Sequence, residues 1–102
     1  MPYVVDASVA VKWFLPEPYQ DKAKKLLRDF VNQDVQLLAP DLIVLEVGSA
    51  LWKRSMVTRD ISAEQARDAY RYFLALGLPL YASSGIAARA LSLAIQEGHQ
   101  II

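Results

Sequence analysis

The sequence predicts an α/β domain built on a short parallel sheet, and three observations carry that expectation. Short apolar or β-branched runs, Tyr3-Val4-Val5-Asp6, Gln36-Leu37-Leu38-Ala39 and Leu80-Tyr81-Ala82, recur along the chain. Between them lie segments with apolar residues at helical spacing. The first run ends on an acid, Asp6. Strands that alternate with helices pair in parallel, and ligands of such sheets bind beyond the carboxyl ends of the strands. With 102 residues the chain reads as one domain, residues 1–102, that buries roughly two-thirds of its unfolded surface.

The elements follow in order. Four residues opening on Tyr3 read as a buried strand rather than a helix. Ala7 to Leu15 is apolar on nearly every side apart from Ser8 and Lys12, which suits a short packed helix closed by Pro16 and Pro18. Ala23, Leu26, Leu27 and Phe30 stand at i, i+3, i+4 and i+7 opposite Lys22, Lys24, Lys25, Arg28 and Asp29, so an amphipathic helix is expected from Tyr19 to Val31. Pro40 is expected to stop the second strand, and Asp41 to open a long helix through Met56. Ser62-Ala63-Glu64-Gln65 has the form of a capping box, starting a helix with Ala66, Ala69, Tyr70, Phe73 and Leu74 inward and ending before Gly77. After Leu80-Tyr81-Ala82, Ser83 or Ser84 caps a last helix with Ala87, Ala90, Leu91, Ala94 and Ile95 on its inner face, and Gly98 stops it.

Composition removes several function classes. A hydrophobic content of 54% with 22% charged residues excludes disorder. Eleven basic residues balance eleven acidic ones, so no global positive field marks a nucleic-acid binder, although a local basic patch is compatible with the count. The chain has no cysteine, which excludes disulfides, thiolate metal sites and cysteine nucleophiles. Neither a Walker glycine loop nor a GxSxG motif is present. No apolar run reaches membrane-spanning length, and Asp6 interrupts an N-terminus that has no cationic leader, so the expected compartment is the cytosol.

Two carboxylates stand out. Asp6 at a strand tip has two readings of equal weight, a cap for the helix behind it and a functional acid. Glu46 is the single charge between Leu42 and Leu51, with Leu42, Ile43, Ser49 and Ala50 as its helical neighbours. Its plain reading is a helix-edge glutamate pairing with Lys53. Gathered together, the two acids repel by about 4 kcal/mol at about 4 Å and an effective dielectric near 20, so their site calls for a proton or a divalent cation. Hard oxygen donors, with His99 as the only histidine, point to Mg²⁺ or Mn²⁺ rather than zinc. Ser8 offers a hydroxyl to a metal-bound water, but an ordinary helix-start serine is the simpler assignment. His99 reads as a helix-end residue rather than a base. Lys53, Arg54 and Arg59 form a loose basic group whose sharper reading is phosphate contact with RNA and whose plainer one is a solvated face.

Val4-Val5-Asp6-Ala7-Ser8-Val9-Ala10-Val11-Lys12-Trp13-Phe14-Leu15-Pro16-Glu17 closely resembles the opening of PIN-domain proteins of the VapC toxin type. Leu38-Ala39-Pro40-Asp41-Leu42 through Leu45-Glu46-Val47, then Ala50-Leu51-Trp52-Lys53, is similar to that family's second acidic block. The resemblance implies a three-layer sandwich of a parallel sheet flanked by helices. It implies a metal-dependent endoribonuclease, the toxin of a toxin–antitoxin system, whose acids hold one or two Mg²⁺ or Mn²⁺ ions beside the scissile phosphate. Asp6 and Glu46 match the first two metal-binding acids, and Ser8 the hydroxyl position beside the first. Ser49 stands where many relatives have asparagine.

The family's third acid would fall almost directly after Ile102, and the fourth beyond it. His99-Gln100-Ile101-Ile102 reads as the entrance to another strand, so the expectation is a C-terminally truncated, partial PIN domain, weakly active or inactive. Its unpaired apolar edge invites a second copy, hence a homodimer. The rival reading is a non-catalytic module that dimerises or binds an antitoxin through the helices between Pro40 and Leu76. A phosphoacceptor domain centred on Asp6 is a weaker third, lacking the glycine loop and the acidic cluster.

Overall fold

Among the described residues three strands run parallel in the order β1-β2-β3, where β1 is Tyr3–Val4, β2 Leu37–Pro40 and β3 Leu80–Tyr81. The computed structural model describes residues 3–82 together with Ser84, Ala88, Leu91, Ser92 and Ile95. The β1-to-β2 crossover carries α1 (Ala7–Lys12) and α2 (Gln20–Val31), and the β2-to-β3 crossover carries α3 (Ile43–Met56) and α4 (Ala63–Ala75). Helix α1 packs against both α2 and α3, and α3 packs against α4. This is the expected small α/β fold with a short parallel sheet and helices.

Register and one proline set the carboxyl edge of the sheet. Tyr3 pairs with Leu37 and Val4 with Leu38, while Ala39 pairs with Leu80 and Pro40 with Tyr81. The Val5 N–H donates to Leu38 O at 2.8 Å. The next bond of a parallel ladder would run from the N–H of residue 40 to Val5 O, and proline has no N–H to give. The β1–β2 ladder therefore stops there, and the chain leaves the sheet at Asp6. On its other side β2 continues: Ala39 N–H donates to Pro79 O at 3.0 Å and Asp41 N–H to Tyr81 O at 2.7 Å. Pro40 is thus the last residue of β2 rather than its stop. Asp41 extends the pairing instead of opening α3, which begins at Ile43.

The core gathers Val5, Leu37 and Ala39 from the sheet region with Ala10, Val11, Trp13, Ile43, Val47, Leu51 and Phe73 from the helices. The first strand is not buried as expected. Tyr3 and Val4 are 55% and 67% exposed, β1 being the outer strand among the described residues, and only Val5 behind it is enclosed. Helix α1 is also shorter than its apolar run. Trp13 and Phe14 donate to carbonyls three residues back, at 3.1 Å each, which tightens the last turn. The Gln20 amide then donates to Lys12 O at 3.2 Å and Leu15 O at 3.0 Å, satisfying helix-end carbonyls that have no other turn to pair with. Tyr19, expected inside α2, precedes it at φ 64°, in left-handed backbone.

The capping box of α4 is present as expected: Ser62 Oγ accepts from Gln65 N–H at 3.0 Å, and Gln65 Oε1 accepts from Ser62 N–H at 2.7 Å. Gly77 ends the helix at φ 65°, the conformation that glycine tolerates best. Of the last expected helix, Ser84, Ala88, Leu91, Ser92 and Ile95 are helical, which places Ser84 inside the helix rather than before it. Leu91 and Ile95 are 51% and 72% exposed, not inward. Ser83, Ala87, Ala90, Ala94, Gly98, His99, Ile101 and Ile102 lie outside the described residues.

Candidate active site

Asp6 leaves β1 in extended backbone and caps α1. Its Oδ1 accepts from the Val9 N–H at 3.0 Å and from the Ser8 hydroxyl at 2.7 Å. The capping reading of Asp6 is therefore realised, and both bonds fall on one oxygen. The carboxylate is exposed at the carboxyl end of the sheet, so the cap orients it without enclosing it. Ser8 donates to Asp6 and acts as a buttress for that carboxylate.

Glu46 stands in the first turn of α3, which follows directly on the carboxyl end of the central strand. The same sheet edge therefore carries Asp6 behind β1 and Glu46 behind β2. Glu46 is exposed and lines a cleft of about 540 Å³ between α1 and α3. Ala7, the residue after Asp6, lines the same cleft with Val11, and the far side carries Glu17, Lys53 and Arg54. Among the described residues no ion pair includes Asp6 or Glu46, so the expected Glu46–Lys53 pair is not formed.

The basic group divides. Arg54 Nη1 donates to Glu17 Oε1 at 2.8 Å and its Nε to Asp60 Oδ2 at 2.6 Å, with Nη2 also on Asp60. Lys12 Nζ lies 3.7 Å from Glu17 Oε2. Hydrogen bonding to Asp60 raises the Arg54 pKa, and the same bond lowers that of Asp60. Arg59, in left-handed backbone, donates from Nε to Met56 O at 3.4 Å and does not line the cleft. Lys53 does line it and is exposed. Sequence reasoning missed Glu17 and Asp60 as partners of Arg54. The 37-residue separation from Glu17 leaves no local signal, whereas Asp60 is only six residues away across a turn.

Among the described residues no three acidic or histidine side chains gather into a metal-holding group. Two carboxylates on one sheet edge still fit the way magnesium is commonly held, by one or two carboxylates with water completing the shell. Zinc, which prefers nitrogen and sulfur donors, does not fit this set.

A second, more apolar cleft of about 420 Å³ runs between α3 and α4, lined in part by Leu45, Trp52, Met56 and Tyr70. Leu45 and Trp52 are 68% and 58% exposed there. Gly48 lets the helices approach, since a Cβ at that position would meet the Tyr70 ring at 3.3 Å. The Tyr70 hydroxyl donates to Val44 O at 2.8 Å, which locks α4 to α3.

Among the described residues no helix is long and apolar enough to cross a membrane. A search of curated proteins returned no match to this chain. A family model described as the PIN domain matches residues 3–101. That match takes in the parallel sheet, the acid behind β1 and the acid opening α3, and with it the chain belongs to the PIN domain family.

Proposed function

We propose that this chain is a metal-dependent endoribonuclease of the VapC toxin type, with Asp6 and Glu46 as its metal-holding acids. PIN domains as a group are associated with nuclease activity and RNA and generally depend on a divalent metal. The observation that carries the reading is the shared sheet edge: two exposed carboxylates, on neighbouring strand exits, that enter no ion pair among the described residues. Such an edge is where open α/β sheets bind ligands.

Asp6 and Glu46 would hold Mg²⁺ or Mn²⁺ with water completing the shell. The ion, when bound, supplies an activated water and neutralises charge on the scissile phosphate. The chain's own contribution is positional. The Val9 N–H and the Ser8 hydroxyl fix the Asp6 carboxylate through Oδ1. Glu46 is carried on a helix whose Ile43 and Val47 are fully buried, so its backbone is anchored while its carboxylate faces the cleft.

The test is cleavage of single-stranded RNA with and without Mg²⁺ or Mn²⁺. Cleavage that needs the ion and disappears in Glu46→Gln supports the proposal. Cleavage in chelator, or an undiminished Glu46→Gln variant, contradicts it.

The apolar cleft between α3 and α4 favours a second reading, in which the chain serves as an interaction module that dimerises or binds an antitoxin. Exposed Leu45, Trp52 and Met56 along that cleft suit an apolar partner segment. The two readings are compatible, since a toxin requires both a catalytic edge and a surface for its antitoxin.

A further inference from the structure

We propose that Lys53 is the phosphate-binding cation of the cleft between α1 and α3, and that its neighbour Arg54 is not; the assignment rests on reading Glu46 as a metal-holding acid. Four charged side chains line this cleft: Glu17, Glu46, Lys53 and Arg54. Two of them satisfy each other. Arg54 donates to Glu17 at 2.8 Å while its remaining nitrogens hold Asp60, and Lys12 approaches Glu17 from the other side. The side chains of Arg54 and Glu17 are only 21% and 26% exposed. Turning Arg54 toward a phosphate would break charge-assisted bonds to two carboxylates, so the guanidinium is committed to the fold.

Glu46 and Lys53 are what is left. They are seven residues apart on α3, nearly two full turns, so they share one face and lie about 10 Å apart along the helix axis. That is beyond the three- or four-residue spacing at which helical side chains pair, in keeping with the absence of an ion pair between them. Ser49 and Ala50 lie between them and line the same cleft. The result is a strip with a carboxylate at one end, small residues in the middle and an ammonium at the other. Were Glu46 to hold a divalent ion, its negative charge would be offset and Lys53 would remain as the uncompensated cation of the strip. Lys53 would then be placed to take a phosphate of a polynucleotide lying along α3, for which a flexible point charge is suited. Arg59 has no part in this strip, being outside the cleft lining.

The experiment is fluorescence anisotropy of a labelled single-stranded 2′-O-methyl RNA oligonucleotide, which resists hydrolysis, across a salt series in chelator and in Mn²⁺, with Mn²⁺ calorimetry run in parallel. Lys53→Ala is expected to weaken RNA binding on the order of 10-fold, the loss of one charge-assisted contact. It should also reduce the salt slope by about 0.7, the counterion contribution of one phosphate contact on a single strand. Lys53→Arg should restore most of both, and the paired change Glu17→Gln with Arg54→Gln, which removes one charge of each sign from the cleft, should leave RNA affinity of the folded protein within about twofold. Wild-type affinity and slope in Lys53→Ala would overturn the assignment, as would a larger loss in the Glu17→Gln, Arg54→Gln pair. The metal reading is scored separately. Absence of Mn²⁺ heat with a Lys53-dependent RNA affinity refutes the metal site and keeps the phosphate contact. Normal Mn²⁺ heat with a Lys53-independent affinity does the reverse.

Discussion

The two ends of helix α3 treat their charges in opposite ways. At its C-terminal end Arg54 is held between Glu17 and Asp60, and its fork of donors is spent on tying the α1–α2 connection and the following turn to the helix. At its N-terminal end Glu46 enters no ion pair among the described residues, and Asp6, at the start of α1, accepts its cap bonds on one oxygen only. Charges that complete one another inside the chain hold the fold together. A carboxylate left without a cation is the one a metal could use. Glu17 and Glu46 line one cleft, yet of the two only Glu17 enters an ion pair among the described residues.

The largest effect is expected at Asp6, where structural and functional roles meet in one residue. Asparagine caps helices about as well as aspartate, whereas alanine loses about 1 kcal/mol at such a position. Asp6→Asn should therefore melt like wild type but lose Mn²⁺ binding and cleavage, and Asp6→Ala should lose all three. Calorimetry and thermal melting on the two variants separate the cap from the ligand. An Asp6→Asn protein that still binds Mn²⁺ would leave Asp6 as a helix cap alone.

At the other end the expected loss is in stability alone. Arg54→Ala removes the half-buried contact to Glu17 and should lower stability by about 1 kcal/mol, read as a shift in the denaturant midpoint. The ion pair also predicts a pH dependence. Asp60 has its pKa lowered in the folded state through its hydrogen bond with Arg54. Its contribution is then fully present above the unfolded carboxylate value of about 3.9 and fades as pH falls through the lower folded value. Melting temperatures of wild type and Arg54→Ala should accordingly converge below about pH 4, and parallel curves there would contradict the assignment.

A comparable but purely local effect is expected between α3 and α4. Tyr70→Phe keeps the ring against Gly48 and removes the bond to Val44 O. A loss of about 1 kcal/mol is expected, with Mn²⁺ binding unchanged. A changed Mn²⁺ affinity would show that the apolar cleft and the acidic edge are coupled.

Much of the fold was legible from local chemistry. The strand-helix alternation, the capping box at Ser62 and the amphipathic pattern of α2 are all written within a few residues. The misreadings lie where a distant partner decides the outcome. Pro40 looked like a strand stop, yet its missing N–H faces β1 while β3 pairs on through Asp41. Tyr3 and Val4 read as buried, yet both are exposed among the described residues, because an apolar run does not reveal what covers it. At the site, Asp6 and Glu46 stood out as acids in apolar surroundings, while the commitment of Arg54 to Glu17 depends on a packing of α1 against α3 that no spacing encodes.

The most direct test of the central claim is Mn²⁺ titration by calorimetry on the wild-type chain beside Asp6→Asn and Glu46→Gln. Saturable binding to wild type is expected, vanishing in both variants while their melting temperatures hold. Binding that survives both substitutions, or no binding to wild type at all, would contradict a metal site built by these two acids.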